Sequence, residues 1–209
     1  MGSMLLNAFE KALMNNPVRA ASQRWIEAPR LRSMGGPVPG GHVLEVGCGR
    51  GVGAEIILRS FGAAHVDAFD LDPRMVELAR QRLRRHGDRV RIWQGDASRI
   101  DAEDGAYDAV FDFGIIHHVP DWTGALGEIH RVLRPGACLY AEEVYERFIA
   151  HPLARGLFRH PQQGRFDHAR FVEAVRASGL EPVAETQLMG LFGWLVARRP
   201  ATPESCAQM

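Results

Sequence analysis

The stretch Val43-Leu44-Glu45-Val46-Gly47-Cys48-Gly49-Arg50-Gly51-Val52-Gly53-Ala54 decides the fold of this chain. It starts as a short apolar run and then places four glycines within seven residues, and the amphipathic segment 55–61 follows at once. This pattern predicts a buried strand, a tight turn and the start of a helix. Glycine is used where the backbone takes a positive φ or approaches a ligand closely. Four glycines exceed what a plain strand–helix turn needs, so we interpret the loop as a ligand loop.

The kind of ligand is open at this point, because the same residues fit two kinds of nucleotide site. The free N–H groups of a helix start favour an anionic group. Residues 49–54 satisfy the GxGxxA form of the dinucleotide fingerprint, and Asp70 lies at the expected distance downstream. An NAD(P)-binding oxidoreductase is therefore one alternative. Glu45 argues against it, since an acid inside the strand before the loop suits a cationic ligand better than a pyrophosphate.

Strands and helices alternate along the rest of the chain. Strands are predicted at 43–46, 65–70, 89–94, 107–113, 137–144, 183–188 and 192–197, with helices between most of them. Asp72 and Asp167 are placed to cap helices, and 189–191 to turn a closing hairpin. This order predicts an α/β fold with a doubly wound, mostly parallel, seven-stranded Rossmann-like sheet, helices on both faces and one antiparallel strand. We expect a helix from Trp122 to Leu133 that stops at Arg134-Pro135-Gly136.

The composition and the positions of glycine and proline suggest that the chain has three parts. Residues 1–34 are predicted to form an N-terminal helical lid, 35–199 the ligand-binding domain, and 200–209 a disordered tail. Within the first part, Pro17 should begin a helix and Pro29 should end it. These helices could instead simply pack on the sheet edge, or dock on a membrane surface through arginines and Trp25. We rank the lid and the packing interpretations ahead of membrane docking.

The bulk composition excludes several classes of protein. The chain has 209 residues and a formal net charge of zero, so it lacks the strongly basic footprint of a nucleic-acid-binding protein. Its three cysteines are widely spaced without a CxxC pair, which disfavours a disulfide framework and a zinc site. No signal peptide or membrane-spanning run is visible. We expect a cytoplasmic bacterial protein, and oligomeric state is not readable.

Several ordered motifs together resemble class I S-adenosylmethionine (AdoMet)-dependent methyltransferases of the small bacterial type related to ubiquinone and sterol methyltransferases. Glu-Val-Gly-Cys-Gly-Arg-Gly matches the E/DxGxGxG motif of that family. The further matches, in the family's order and spacing, are Asp70, Gly95-Asp96-Ala97, Tyr107-Asp108, the segment 114–121 and Leu133-Arg134-Pro135-Gly136. The resemblance covers residues 40–145 and implies the fold and the cofactor AdoMet, but it says little about the acceptor.

The resemblance also implies roles for individual residues. Gly47, Gly49 and Gly51 would hold the methionine part of AdoMet, with Glu45 beneath its amino group and the Phe113 carbonyl beside that group. Asp70 would bind the ribose. Around the adenine, Leu71 and Ala97 would flank the ring and Asp96 would bind its amine. Asp112-Phe113-Gly114 departs from the Asn/Asp-Pro-Pro-aromatic motif of amino-methylating nucleic-acid enzymes, which disfavours N-methylation of DNA or glutamine.

Candidate catalytic groups follow the fourth and fifth strands. His117 and His118 are expected to open the next helix beside the methyl position, and we favour His117 as a pocket residue and general base. Glu142 and Glu143 end the fifth strand, where successive side chains point to opposite faces, so one of them should line the cleft and we assign Glu143. Tyr145, His151, His160 and His168 are weaker candidates. No spacing predicts a metal site.

The resulting hypothesis is an AdoMet-dependent methyltransferase that acts on a small-molecule acceptor. The hypothesis predicts no nucleic-acid partner, and it ranks contact with a membrane through the N-terminal helices below the other interpretations. The alternatives are the NAD(P)-binding oxidoreductase and a non-catalytic AdoMet-binding protein.

Overall fold

The protein forms a seven-stranded sheet in the order β3-β2-β1-β4-β5-β7-β6. A computed structural model describes residues 16–149 and 166–201. Neighbouring strands are parallel except β7, which is antiparallel to both β5 and β6. The strands are β1 (His42–Val46), β2 (His65–Asp70), β3 (Val90–Gln94), β4 (Tyr107–Phe113), β5 (Leu133–Val144), β6 (Glu181–Leu188) and β7 (Phe192–Arg198). The predicted fold, including its antiparallel closing strand, is confirmed.

Helices cover both faces of this sheet. They are α1 (Pro17–Ser22), α2 (Ala28–Gly35), α3 (Val52–Ile56), α4 (Pro73–Leu83), α5 (Trp122–Val132), α6 (Glu146–Ile149) and α7 (His168–Ala177). Asp72 caps α4 by accepting a hydrogen bond from the Arg74 N–H, and Asp167 caps α7 in the same way through Arg170, as predicted. No helix in the described ranges has the length and apolar character needed to cross a membrane.

Alternating side chains divide the core into two layers, one on each face of the sheet. Leu44, Val110 and Leu139 face one layer, which contains Trp122 and Leu126 of α5. On the other face, buried residues of the sheet pack against α2, α3 and α4. Residues of this second layer include Val43, Val66, Phe111, Val196, Leu31, Ile56 and Val76. Because both faces are covered, the central strands β1 and β4 are buried along almost their whole length.

The strand order reverses between β1 and β4, which are neighbours in the sheet. In open α/β sheets, ligands bind at such a switch point, outside the carboxyl ends of the strands. The loops that leave β1 and β4 here are the glycine loop 47–51 and the segment 114–121. The topology therefore brings together two motifs of the predicted site that are far apart in sequence.

Two glycines of the loop after β1 are required by backbone conformation and by space. Gly47 has φ +68° and Gly51 has φ +78°, both in the left-handed region. A Cβ on Gly47 would lie 2.6 Å from the Ile115 side chain, and one on Gly51 would lie 2.7 Å from Leu83. Such approaches are too close for any real side chain, so larger residues would open the turn.

The prediction that Pro29 ends the N-terminal helix is wrong. The chain passes from α1 through a π-helical turn, Gln23–Glu27, into α2, and Pro29 lies in the first turn of α2. The Ala28 N–H bonds to the carbonyl of Gln23, five residues back. This wider turn accommodates a proline in the next position, because the first turn of a helix does not need the N–H that proline lacks.

The two histidines do not open the helix after β4, which corrects a second expectation. Ile116–His118 form a short 3-10 turn, and α5 begins four residues later at Trp122. The reason is Asp121, whose side chain accepts a hydrogen bond from the Gly124 N–H and so fixes the helix start there. Helix α5 ends at Val132, one residue before the predicted end.

Two polar contacts attach the N-terminal helical segment to the sheet. The Tyr140 hydroxyl donates to the carbonyl oxygens of Gly35 (2.8 Å) and Gly36 (3.2 Å) at the end of α2. From α1, Arg19 donates to the Phe113 carbonyl at 3.1 Å and to Glu142 Oε2 at 2.9 Å, and it also pairs with Glu27. The predicted region 4–15 lies outside the described residues.

We expect Arg19→Gln to lower the free energy of unfolding by about 3 kcal/mol at pH 8, because it leaves the buried Glu27 and Glu142 without their cation. Burial and Glu142 raise the pKa of Glu27 to about 7, although Arg19 opposes the shift. Below that pH Glu27 is protonated and the repulsion is smaller, so the loss should shrink at pH 6. Urea denaturation at both pH values measures it.

The matched control is Arg24→Gln, which removes a more exposed arginine that pairs with Glu55 at 3.4 Å. Exposed pairs contribute about 0.2–1 kcal/mol. Equal losses in the two variants, or no pH dependence of the Arg19→Gln loss, would contradict the assigned role of Arg19.

Candidate functional site

The glycine loop is tied to the end of β2 by a backbone-to-carboxylate hydrogen bond. The Gly49 N–H donates to Asp70 Oδ2 at 2.9 Å, and the Asp72 N–H donates to Asp70 Oδ1 at the same distance. Asp70 is half-buried at the carboxyl end of β2. A carboxylate has about four acceptor sites, so these two bonds are compatible with additional bonds to the hydroxyls of a ribose.

Glu45 is a buried acid under the loop. Its side chain accepts a hydrogen bond from the Ala54 N–H, while Oε2 has no hydrogen-bond partner among residues 16–149 and 166–201. Burial, and to a lesser degree Asp70 and Asp112, raise its pKa well above the ordinary value. Gly53 leaves the space for this carboxyl group, since a Cβ there would overlap Glu45 Oε1. A cation nearby would favour the ionised form of Glu45.

The turn after β3 carries the residues that the resemblance assigns to adenine. Asp96 Oδ1 accepts hydrogen bonds from the Ser98 N–H (2.9 Å) and hydroxyl (2.7 Å), so this side chain shapes its own turn. Ala97 is buried and Leu71 is half-buried, at the ends of the neighbouring strands β3 and β2. Both apolar side chains therefore lie at the carboxyl edge of the sheet, just beyond β2 and β3.

The carbonyl of Phe113 contacts a cation in this structure. That cation is the guanidinium of Arg19, whose Nη2 lies 3.1 Å from the carbonyl oxygen and 2.9 Å from Glu142 Oε2. The resemblance assigns the same carbonyl to the amino group of AdoMet. Arg19 therefore lies where a cationic ligand group is expected, and a bound ligand would share this carbonyl with Arg19 or displace it.

His117 forms a close pair with Glu143, which joins the loop after β4 to the end of β5. The Nδ1 atom of His117 lies 2.5 Å from Glu143 Oε2, and the two side chains are only 5% and 1% exposed. Glu143 Oε1 accepts a hydrogen bond from the Ile116 N–H at 2.9 Å. Glu143 thus fixes both the backbone and the imidazole of this turn. The two residues predicted as catalytic lie together.

A further buried acid, Asp112, lies next to Glu143 of this pair. Asp112 is fully buried; burial first and the charge of Glu143 second raise its pKa well above the ordinary value. It is hydrogen-bonded to Glu143 and accepts the Ile115 N–H at 2.8 Å. Burial also raises the pKa of Glu143 to about 8, although its bond with Asp112 opposes the shift. Asp112 is therefore the protonated partner that donates to Glu143.

Among the weaker candidates, Tyr145 and His168 contact each other. The Tyr145 hydroxyl lies 2.8 Å from His168 Nδ1, and Tyr145 is buried. His151 and His160 lie outside the described residues. The His118 ring contacts the His117 ring, with ring centroids 4.1 Å apart and the ring planes tilted by 40°.

Two residues of the site were missed from the sequence. Arg19 offers no local signal, because an arginine in a surface-type helix is ordinary. Asp112 does offer one: like Glu45, it is an acid inside an apolar strand. Glu142 and Glu143 were expected to point to opposite faces, with one of them lining the cleft. Their partners lie on different elements, since Glu142 contacts Arg19 and Glu143 contacts His117.

The polar groups at the carboxyl edge of the sheet suit AdoMet as a ligand. The ligand has a cationic sulfonium and ammonium, and the edge contains Glu45 with a buried oxygen that lacks a hydrogen bond among the described residues. It also has the positive-φ glycine turn and the Asp70 carboxylate, which accepts a hydrogen bond from Gly49 of that turn at 2.9 Å. These residues fit the cofactor.

Comparisons with known proteins agree with this geometry. Residues 43–136 match the family model described as "Methyltransferase domain". The chain is 34% identical to a fatty-acid O-methyltransferase of Mycolicibacterium smegmatis over 78% of its own length and 61% of the relative's. It is 35% identical to a malonyl-[acyl-carrier protein] O-methyltransferase of Serratia marcescens over 64% and 49%, respectively. The chain thus spans about half to three fifths of the length of these relatives.

A solved SAM-dependent methyltransferase from Aquifex aeolicus has the same fold. Its TM-score is 0.70 at 18% identity, with 91% of this chain and 97% of that chain covered. At this identity the likeness concerns the fold alone. The family-model match over residues 43–136 and the named relatives, on this fold, show that the chain contains a class I AdoMet-dependent methyltransferase domain.

Proposed function

We propose that this protein transfers a methyl group from AdoMet to a hydroxyl group of a small-molecule acceptor, with His117 as the general base. The observation that carries this proposal is the 2.5 Å pair between His117 Nδ1 and Glu143 Oε2 at the switch point of the sheet. A thiolate or carboxylate acceptor is already a nucleophile and needs no base. A buried histidine held by a buried acid is the arrangement expected where a proton has to be removed.

The cofactor is held by the chain in three places. Gly47, Gly49 and Gly51 cradle the methionine part, and Glu45 with the Phe113 carbonyl attracts its ammonium group. Asp70 binds the ribose hydroxyls. At the adenine, Leu71 and Ala97 pack against the ring, and Asp96 accepts a hydrogen bond from its exocyclic amine. These assignments follow the positions of the residues along the carboxyl ends of β1, β2, β3 and β4.

AdoMet, when bound, supplies an electrophilic methyl group on a sulfonium. The protein then has to hold the acceptor close to that group and in line with it, and proximity of this kind supplies much of the rate enhancement. We propose that the N-terminal helices act as a lid, which holds the acceptor near the methyl group and excludes water. Support comes from Arg19, which reaches from α1 to the carbonyl at the end of β4.

The protonation state of Glu143 controls the base. When Glu143 is ionised, it accepts the Nδ1–H proton of His117, and Nε2 is then the nitrogen that takes the proton of the acceptor. When Glu143 is protonated, it donates to Nδ1, the ring proton moves to Nε2, and the imidazole cannot accept the acceptor's proton. Because the pKa of Glu143 is about 8, the active form of the pair gains population as the pH rises.

The relatives support a small acceptor. Their names give a fatty acid and a malonyl group on a carrier protein as the methylated substrates. This chain also has no net charge and lacks the Asn/Asp-Pro-Pro-aromatic motif after β4. We therefore place the acceptor among lipid-like or acyl-derived small molecules, and not among nucleic acids. The choice of a hydroxyl group rests on the His117–Glu143 pair and not on these relatives, since a fatty acid and a malonyl group offer a carboxylate.

The Asp70→Ala variant tests the cofactor assignment. Its affinity for AdoMet and for the demethylated product should fall about 10–100-fold, because two hydrogen bonds to the ribose are lost at about 0.5–1.5 kcal/mol each. Isothermal titration calorimetry measures both ligands. Asp88→Ala, which removes an exposed aspartate, should bind as the wild type does. Tight binding of NAD with no binding of AdoMet would instead support the oxidoreductase alternative.

The acceptor class is tested with AdoMet labelled in its methyl group and an extract of bacterial metabolites and macromolecules. We expect label in the low-molecular-weight fraction, in a product stable to mild alkali as an ether is and a methyl ester is not. Label confined to macromolecules would refute the small acceptor, and an alkali-labile product would refute the hydroxyl. If AdoMet binds and no fraction is labelled, the protein is a non-catalytic AdoMet-binding protein.

The His117→Ala variant tests the base. With a hydroxyl acceptor, kcat should fall about 10²–10⁴-fold, while the affinity for AdoMet changes little. His118→Ala is the matched control, because it removes the neighbouring ring and leaves the pair with Glu143 intact. Near-normal turnover of His117→Ala together with a lowered melting temperature would assign His117 to structure only.

The pH profile separates a base from a structural histidine. In the wild type, kcat/KM should rise with pH, have its inflection near pH 8 and level off about one to two pH units higher, since it reports groups of the free enzyme. Because the two groups are coupled, the inflection belongs to the His117–Glu143 pair. Glu143→Gln, which cannot ionise, should lose this inflection. An unchanged profile in that variant would remove Glu143 from the proposed mechanism.

A further inference from the structure

A second cluster of ligating side chains lies at the opposite edge of the sheet, where β1 and β2 begin. His42 and His65 are the first residues of these strands, and the parallel register places them directly opposite each other. Asp67 follows His65 by two residues and so projects from the same face of β2. Strand pairing thus assembles two imidazoles and one carboxylate that are 23 and 25 residues apart in sequence.

The ligand atoms converge. His42 Nε2 lies 3.2 Å from Asp67 Oδ2, His65 Nε2 lies 3.4 Å from Asp67 Oδ1, and one atom from each residue lies within 4.8 Å of the others. Around a tetrahedral zinc ion with bonds of about 2.0–2.1 Å, neighbouring ligand atoms are about 3.3 Å apart. The spacing therefore suits a metal ion without a large movement of any strand.

Two of these atoms are buried and have no hydrogen-bond partner in the described part of the chain. They are His42 Nε2 and Asp67 Oδ1. Leaving buried polar atoms without partners costs free energy, and a bound cation would remove that cost for both. Asp67 is only 4% exposed, and its other oxygen accepts the Tyr107 hydroxyl at 2.9 Å. That bond orients the carboxylate, with Oδ2 beside His42 and Oδ1 facing His65.

We propose that His42, His65 and Asp67 form a zinc site at the amino-terminal edge of the sheet. Imidazole nitrogens and carboxylate oxygens are common zinc ligands, and three protein ligands leave the fourth position to water. The two histidines are about one third exposed, and a cavity of about 980 Å³ lined by His42 and Asp67 gives the ion a way in. The site lies apart from the methyltransferase site and does not depend on it.

The competing account is an ordinary cluster of ion pairs. Arg91 Nε lies 3.6 Å from Asp67 Oδ1, and protonated imidazoles would also neutralise this aspartate. Arg91 is 59% exposed and stacks on Trp93 at 4.5 Å, so it can turn away from Asp67 into solvent. If these residues form only ion pairs, the protein should show no saturable zinc binding that depends on the histidines. The two accounts therefore differ in a measurable way.

The test uses the full chain without a polyhistidine tag, freed of metal by a chelator that is then removed, and titrated calorimetrically with Zn²⁺. We expect one Zn²⁺ per chain for the wild type. His65→Ala removes a ligand atom and Asp67→Asn removes the negative charge of a ligand, so each variant should bind Zn²⁺ more than tenfold more weakly. The matched control is His86→Ala, which removes a histidine outside the cluster and should bind as the wild type does.

Thermal denaturation with and without Zn²⁺ gives a second measurement. Zinc should raise the melting temperature of the wild type and of His86→Ala, and leave that of His65→Ala unchanged, because only a ligand that binds the native state stabilises it. Melting without zinc shows that each variant folds. Zinc binding by His65→Ala as tight as that of the wild type, or no saturable binding by the wild type, would overturn the proposal.

Discussion

Four buried acids at the carboxyl ends of β1, β4 and β5 are the constraint on which the site depends. Glu45, Asp112, Glu142 and Glu143 are each at most 2% exposed. Burying a carboxylate is costly unless it is hydrogen-bonded, paired or protonated. Each acid is accommodated differently: the Ala54 N–H bonds Glu45, a raised pKa keeps Asp112 protonated, Arg19 pairs with Glu142, and the turn at Ile116 and His117 binds Glu143.

These arrangements connect parts of the chain that are distant in sequence. Arg19 comes from the N-terminal helices, and its contact with Glu142 spans 123 residues. The turn that contains His117 is positioned by an acid 26 residues downstream. Acids that are otherwise hard to accommodate thus attach the N-terminal helical segment and the turn after β4 to the sheet. The same concentration of acidic groups makes the edge attractive to a cationic cofactor.

The two edges of the sheet differ in chemistry for a topological reason. At the carboxyl edge, loops leave the strands at a switch point, so a crevice forms and holds the glycine turn and the acids. At the amino edge, β1 and β2 begin side by side, so the first residues of both strands are brought together by register alone. His42, His65 and Asp67 meet there because parallel strands align residues far apart in sequence.

The sequence by itself determined the order of strands and helices, the antiparallel closing strand and the glycine turn, because these depend on local periodicity, on glycine conformation and on capping side chains such as Asp72 and Asp167. The positions of His117 and Glu143 as candidates also came from the sequence, since both lie where strands end. Tertiary structure decided that these two side chains pair, that Asp112 stands behind them, and that Arg19 reaches the end of β4. It also decided that Pro29 is accommodated within the helical segment. Side-chain partners across strands depend on register and on the cost of burying charge, and neither quantity is written in the spacing of residues along the chain.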